Sequence, residues 1–381
     1  MADREPEIVA RLAPGVGSLP AAEWDAMAGT GDPFLSHAFL SALEESGSVG
    51  GRSGWSPVPI LVEEAGRTVA AAPAYFKSHS QGEYVFDHGW ADAWQRAGGD
   101  YYPKLQIAVP FTPVPGRRLL GERPHALLAA AEAVVEQNGL SSAHATFIAP
   151  EEVAEYEARG WLIRHGIQYH WLNRGYASFE EFLGALSSRK RKAVRKERAA
   201  AREGLEFLAL RGDEIGPEHW DAMWGFYQDT GARKWGRPYL TRAFFDLAAE
   251  RIGERILLFL ALRDGRPIAG ALNWAGADTL YGRYWGCTEE VPFLHFELCY
   301  YQAIEWACAH GLAAVQAGAQ GEHKLARGYE PVLTYSAHYL PNASFREAVA
   351  RFLEGERAAV AAEIAEMRAE LPYRRGEGDA G

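Results

Sequence analysis

Gly321-Glu322-His323-Lys324 sets a carboxylate, an imidazole and an ammonium side by side, just past a segment at 313–317 that reads as a buried strand. Such groups suit a reaction in which one atom loses a proton and another gains negative charge. Residues just beyond a sheet strand commonly face the ligand crevice in α/β folds. Lys324 is therefore a candidate for holding negative charge, and His323 or Glu322 for taking a proton. The competing reading of the same four residues is a polar surface turn.

Other groups of residues support a similar chemistry. The strand 279–287 carries Gly282 and Gly286, and strand glycines mark a bulge or a close backbone approach. That reading turns Arg283, Tyr284 and Trp285 toward a cleft; the alternative is a strand kinked for packing. His295 and Glu297 open a helix at 296–310, where Glu297 suits the helix dipole, or acts as a base if it is buried near an acceptor amine. Arg189-Lys190-Arg191-Lys192 continues to Arg195, Lys196 and Arg198, seven basic residues in ten, on a helix expected at 187–203 with Ser187 or Ser188 as its cap. This run is either a grip for the phosphates of coenzyme A, an acyl-carrier phosphopantetheine, tRNA or anionic lipid, or a solvated helix. Asp87, His88, Trp90, Lys104 and Gln106 are candidates for the acceptor side, although His88 alone suits a structural role. Arg233-Lys234-Trp235 offers charge and a stacking face for an anionic or planar group, or forms an exposed turn. Glu322-His323 and Asp87-His88 lack a second ligand at metal spacing, so no metal site is expected.

The elements that must position these residues come from a chain of 381 residues, which favours two domains. The 48% hydrophobic and 23% charged content is that of a folded globular protein, and the net charge of -11 argues against general nucleic-acid coating. Cys287, Cys299 and Cys308 form no CxxC pair and read as buried core thiols in a reducing compartment. The charged N-terminus lacks a signal-peptide core, and the longest aliphatic and aromatic run, 256–262, is too short to span a bilayer. The expectation is a cytoplasmic protein without stable membrane insertion, peripheral contact and oligomeric state being left open.

The sequence also repeats. Trp24-Asp25-Ala26-Met27 recurs at 220–223, and Pro33-Phe34-Leu35-Ser36 with Ala38-Phe39 recurs as Pro238-Tyr239-Leu240-Thr241 with Ala243-Phe244. Gly66-Arg67, Gly139-Leu140, Arg159-Gly160-Trp161 and His170-Trp171-Leu172 recur in the same order at 265–266, 311–312, 327–329 and 338–340. Six pairs in one order indicate duplication. The Gly-Arg copies stand 199 positions apart (66 and 265) and the Gly-Leu copies 172 (139 and 311), so the first copy holds 27 extra residues, placed near 77–118 as a lid or acceptor-binding element. Each copy reads as a hairpin (turned at 65–67 or 264–265), a further strand, a helix and a buried strand. The result is a mixed α/β (α+β) sheet flanked by helices. A helix at 344–371, apolar at Phe345, Val349, Phe352, Val360, Ile364 and Met367, docks on the body.

This order resembles the GNAT acyltransferase fold in tandem, and the chain resembles the FemAB-like family of N-acyltransferases. The segments that carry the likeness are His88-Gly89-Trp90, Tyr102-Pro103-Lys104-Leu105-Gln106, Pro110-Phe111-Thr112-Pro113, 230–236 (TGARKWG), 282–286 (GRYWG), 295–301 (HFELCYY) and 316–329 (QAGAQGEHKLARGY). The resemblance implies a first GNAT-like domain at 1–172 on the acceptor side, a second at 173–341 on the catalytic and donor side, and a closing helix at 342–373. It implies a lysine in a Lys-x-x-Arg-Gly-Tyr context, which Lys324 matches, and a backbone N–H for the acyl carbonyl from the glycine-bearing strand. It also implies direct transfer of an acyl group from acyl-CoA or an acyl carrier protein, as co-substrate rather than tightly bound cofactor, to a small-molecule or lipid amine. Two departures stand out. The loop 288–295 (TEEVPFLH) has no glycine and carries Glu289 and Glu290, and the long helical arm of the aminoacyl-tRNA-dependent members is missing, which disfavours tRNA. The rival readings are an aminoacyl-tRNA donor, an amino-lipid acceptor and a non-catalytic envelope-assembly protein.

Overall fold

A computed structural model describes residues 8–234, 238–318 and 321–374, apart from the side chains of 232–234 and Glu322. The first half of the chain runs β1 (Ile8–Leu12), α1 (Ala21–Ala28), α2 (His37–Glu45), β2 (Trp55–Pro57), β3 (Ile60–Glu64), β4 (Arg67–Ala72), β5 (Ala74–Lys77), α3 (His88–Arg96), β6 (Lys104–Ile107), β7 (Leu120–Gly121), α4 (Pro124–Gln137), β8 (Ala143–Ile148), α5 (Val153–Ala158) and β9 (Leu162–Leu172). The second half runs α6 (Phe179–Ala185), α7 (Ser188–Arg202), β10 (Glu206–Arg211), α8 (Pro217–Lys234), α9 (Arg242–Ile252), β11 (Ile256–Arg263), β12 (Arg266–Ala275) and β13 (Thr279–Cys287). It continues with α10 (Leu294–Phe296), a π-helical turn (Glu297–Tyr301), α11 (Gln302–Ala309), β14 (Ala314–Gln316), a 3-10 turn (Glu322–Arg327), β15 (Glu330–Tyr339) and α12 (Ala343–Ala369).

Two compact units result. Unit 1 comprises Met1–Gly166, Tyr239–Leu247 and Leu333–Ala362, and unit 2 comprises Ile167–Pro238, Ala248–Val332 and Glu363–Gly381. The division is interleaved rather than a single cut at 172, which is the last residue of β9. The strand beside β8 in unit 1 is β15, and the strand beside β14 in unit 2 is β9. Unit 1 has a sheet in the order β2-β5-β6-β8-β15 and a second sheet β1-β3-β4-β7, while unit 2 has the order β10-β11-β12-β13-β14-β9.

The duplication is written in the backbone. Ala65-Gly66 (φ 52° and 77°) and Asp264-Gly265 (φ 51° and 73°) turn the β3–β4 and β11–β12 hairpins with both residues left-handed, the geometry that matches strand twist. In each unit a strand antiparallel to its predecessor then runs parallel to the next: β6 with β8, and β13 with β14. A parallel pair needs a long crossover. α4 supplies it in unit 1, and α10, the π-turn and α11 supply it in unit 2. The tandem GNAT-like reading therefore holds. The extra residues of the first copy sit mainly between β5 and β6, where 78–103 including α3 replaces the short turn 276–278 of the second copy.

Some local expectations needed correcting. Ser187 occupies the N-cap of α7, but its side chain makes no capping bond. Phe352 of α12 is 52% exposed, and Leu353 takes the buried position. Of the three thiols only Cys308 is buried; Cys287 and Cys299 are partly exposed. No helix among the described residues is long and apolar enough to cross a membrane.

Candidate functional site

In unit 2, β13 is bent where the sequence placed its glycines. Opposite β12, Leu272 pairs with Tyr284 and Asn273 with Gly282, so Arg283 is the extra residue of a β-bulge. At Gly286 a Cβ would lie 2.1 Å from the Phe226 carbonyl oxygen, so α8 approaches the strand at a distance only glycine allows. β13 pairs with β14 only from Thr279 to Tyr281, then continues to Cys287 against β12. The two parallel strands thus part beyond Tyr281 and Gln316, and Gly318 and the Glu322–Arg327 turn follow the end of β14.

Lys324 sits in that turn, 1% exposed, with its Nζ donating to the Gly318 carbonyl at 2.7 Å. Among the described side chains no carboxylate pairs with it. Burial pushes its pKa down to about 7, with only the nearby Cys299 thiol acting in the opposite direction. The Tyr169 ring centroid lies 5.9 Å from Nζ. His170 next to it is held near 4, by burial first and then by the Lys324 charge.

His323, by contrast, is exposed, and its Nε2 lies 2.9 Å from the Tyr300 hydroxyl. Its ring leans on Phe296 and Tyr300, and His295 bridges from this group to Trp285, with centroids 5.1 Å apart. Trp285, His295, His323 and Lys324 therefore share one end of unit 2. Tyr284 does not join them: it turns to Tyr227 of α8, and Arg283 lies over its ring. Trp235 and the side chains of Lys234 and Glu322 lie outside the described residues.

Glu297 is fully buried and committed. Arg198 Nε and Nη2 each donate to it at 2.9 Å and Arg202 Nε at 2.8 Å, so its carboxylate anchors α7 to the π-turn. The basic helix is thereby divided. Arg195 pairs with Glu180, and Arg198 and Arg202 pair with Glu297 and Glu305. Arg189, Lys190, Arg191 and Lys192 make no ion pair among the described residues. In the glycine-free loop, Glu289 is paired with Arg263.

Unit 1 holds a second polar cluster, one that only part of the sequence reading anticipated. Lys104 is fully buried and donates to Asp87 Oδ2 at 2.5 Å, Glu83 Oε2 at 2.7 Å and Ser80 Oγ at 2.8 Å. Tyr101 donates to Asp87 at 2.7 Å, and the two Nδ1 atoms of His144 and His338 are 2.7 Å apart. Burial alone would lower the pKa of Lys104, but the Glu83 and Asp87 carboxylates raise it instead. Burial would likewise raise that of Asp87, and Lys104 drives it well below the usual carboxylate range. Lys77, beneath Glu83 at 3.7 Å, has its pKa lowered to about 7 by burial. His144 is held near 3, by burial and then by Lys104.

Of the expected acceptor residues, Asp87 and Lys104 meet directly. Trp90 reaches the cluster edge-on through His338, with centroids 4.8 Å apart. Gln106 donates to Thr146 Oγ1 at 3.1 Å, and His88 stays outside, stacked on exposed Phe86. Glu83, Lys77, Tyr101, His144 and His338 were missed. Their one signal was polar residues at every second position of β6, β8 and β15, a pattern that reads as a solvent-facing sheet. No group of three or more metal-ligating side chains occurs among the described residues.

Solved structures resemble most of the chain. FemX shares 14% identity at a TM-score of 0.52, covering 87% of this chain and 98% of its own. A conserved protein of unknown function from Bacteroides thetaiotaomicron shares 12% at 0.53, covering 87% and 100%. A tandem GNAT protein from the clavulanic acid biosynthesis pathway shares 12% at 0.46, covering 88% and 99%. No curated protein matches. A family model described as peptidoglycan biosynthesis/recognition matches residues 15–375, and the chain therefore belongs to the FemAB-like family.

Proposed function

We propose that unit 2 transfers an acyl group from an acyl thioester, on coenzyme A or an acyl carrier protein, to the nitrogen of an amine acceptor. The observation that carries this reading is Lys324: a buried ammonium with no carboxylate partner among the described residues, next to the Gly318 carbonyl, where β13 and β14 have stopped pairing. A lysine already paired has its charge neutralised before substrate arrives. One without a counter-ion, in a water-poor site, is available to a developing oxyanion.

In this reaction the free amine attacks the thioester carbonyl directly. The carbonyl oxygen becomes an oxyanion facing Lys324 Nζ, and the intermediate collapses by breaking the C–S bond. The amide leaves with one N–H, and the proton lost by the amine ends on the thiol. His323, hydrogen-bonded to Tyr300 and exposed at the same turn, is placed to carry that proton, with Glu322 as the other candidate in sequence. The bulge at Arg283 is the proposed source of a backbone N–H for the carbonyl.

The test is mass-spectrometric detection of amide product from a panel of acyl-CoA and acyl-carrier donors with amine acceptors. Lys324→Ala should lower turnover by about 100-fold, the scale of losing one oxyanion donor, while the protein stays folded. Equal turnover in the variant removes the reading. A second reading, an aminoacyl-tRNA donor, draws on the family and on the unpaired basic face of α7; activity that ribonuclease abolishes would select it.

A further inference from the structure

The first two turns of α7 concentrate positive charge that the protein does not use internally. Arg189 and Lys192 are exposed and Lys190 and Arg191 half-buried, and none makes an ion pair among the described residues. A fifth cation joins them from the far end of the chain. The Arg374 N–H donates to the Ala185 carbonyl at 3.0 Å and its Nε to the Leu186 carbonyl at 3.4 Å, which sets an exposed guanidinium, without an ion pair among the described residues, beside the start of α7. Farther along the helix Arg195, Arg198 and Arg202 pair with Glu180, Glu297 and Glu305. Positive side chains at a helix N-terminus also oppose the macrodipole. The arrangement therefore holds an uncompensated positive patch at one end of α7, in a protein whose net charge is -11.

The geometry does not suit a single phosphate. Four consecutive helical residues fan out by about 100° each, so their side chains diverge instead of converging on one anion. A divergent set of cations forms a field that suits an acidic surface. The net charge of -11 disfavours an extended polyanion, so a compact partner with a local acidic face fits better. We infer that the patch formed by Arg189, Lys190, Arg191, Lys192 and Arg374 docks an acidic acyl carrier protein that delivers the thioester. This rests on the acyl-thioester reading of unit 2 and narrows its donor.

The test uses the full-length protein and a variant with Arg189, Lys190, Arg191 and Lys192 all changed to Gln. Binding of a purified phosphopantetheinylated acyl carrier protein without an acyl chain is followed by interferometry, so the readout does not depend on catalysis. The expected result is that wild type binds, that the variant binds at least about tenfold more weakly, and that added salt erases the difference. In turnover, KM for the acyl-carrier donor should rise while kcat and the KM for the matching acyl-CoA stay within about twofold. Docking is overturned if wild type does not bind the carrier, if the variant binds equally well, or if the patch instead governs binding to total tRNA or to phosphatidylglycerol vesicles. Carrier binding without turnover of any thioester would leave the docking standing and remove the acyl-transfer reading.

Discussion

Lys104 in unit 1 and Lys324 in unit 2 are both buried lysines, and their surroundings drive them in opposite directions. Lys104 lies between Asp87 and Glu83 and stays charged. Lys324 has a backbone carbonyl and aromatic rings, and burial brings it to about 7. Burial alone therefore does not mark a reactive lysine; the counter-ions decide. The carboxylates around Lys104 come from 78–103, the segment that only the first copy contains, whereas no carboxylate pairs with Lys324 among the described residues.

Methionine at each position sharpens this contrast most. Lys104→Met leaves Asp87 and Glu83 as buried charges without their cation, and should cost about 3–5 kcal/mol by chemical denaturation. Lys324→Met removes a buried cation that no carboxylate neutralises among the described residues, and should raise stability by a few kcal/mol at neutral pH while abolishing turnover. A destabilised Lys324→Met would break the comparison.

The pH dependence carries the same contrast at somewhat smaller size. Lys324 has a folded pKa below its unfolded one, so the unfolded chain binds more protons between about 7 and 10.5, and its burial penalty, full below 7, is relieved as pH rises through that window. Asp87 is shifted down, so its contribution is present above about 4 and is lost as pH falls toward its folded value. Hydrogen exchange resolved by segment should show acid loosening first around β6 and α3 and alkaline tightening around 322–327. The reverse order would contradict the charge assignments. A smaller effect is expected at Gly286→Ala, where overpacking against the Phe226 carbonyl should cost about 1–3 kcal/mol and lower Tm, with turnover falling as the bulged strand shifts.

Much of the fold was legible because duplication was. Two Gly-Arg hairpins in register with two Gly-Leu helix ends fix the order of elements, and Gly282 and Gly286 marked a bulge and a close approach that the structure contains. The exchange of β9 and β15 was not legible, since either strand presents the same His-aromatic-Leu ending to a parallel pair. At the site, the Lys324 turn and the Trp285–His295 neighbourhood were readable from spacing. Glu297 was readable as a first-turn acid, but its two arginine partners lie about a hundred residues away in sequence, with Arg198 and Arg202 on α7. The cluster around Lys104 was only half visible, because a polar face covered by an insertion has the same alternation as one covered by water.

The most direct measurement is the pH profile of kcat/KM for wild type and Lys324→Arg with one acyl thioester and one amine. If the lysine ammonium stabilises the oxyanion, the wild-type rate falls on the alkaline side through about pH 7, and in Lys324→Arg, whose guanidinium does not titrate in this range, that limb moves beyond about pH 9. An alkaline limb that stays in place in the variant, at undiminished rate, would contradict the role assigned to Lys324.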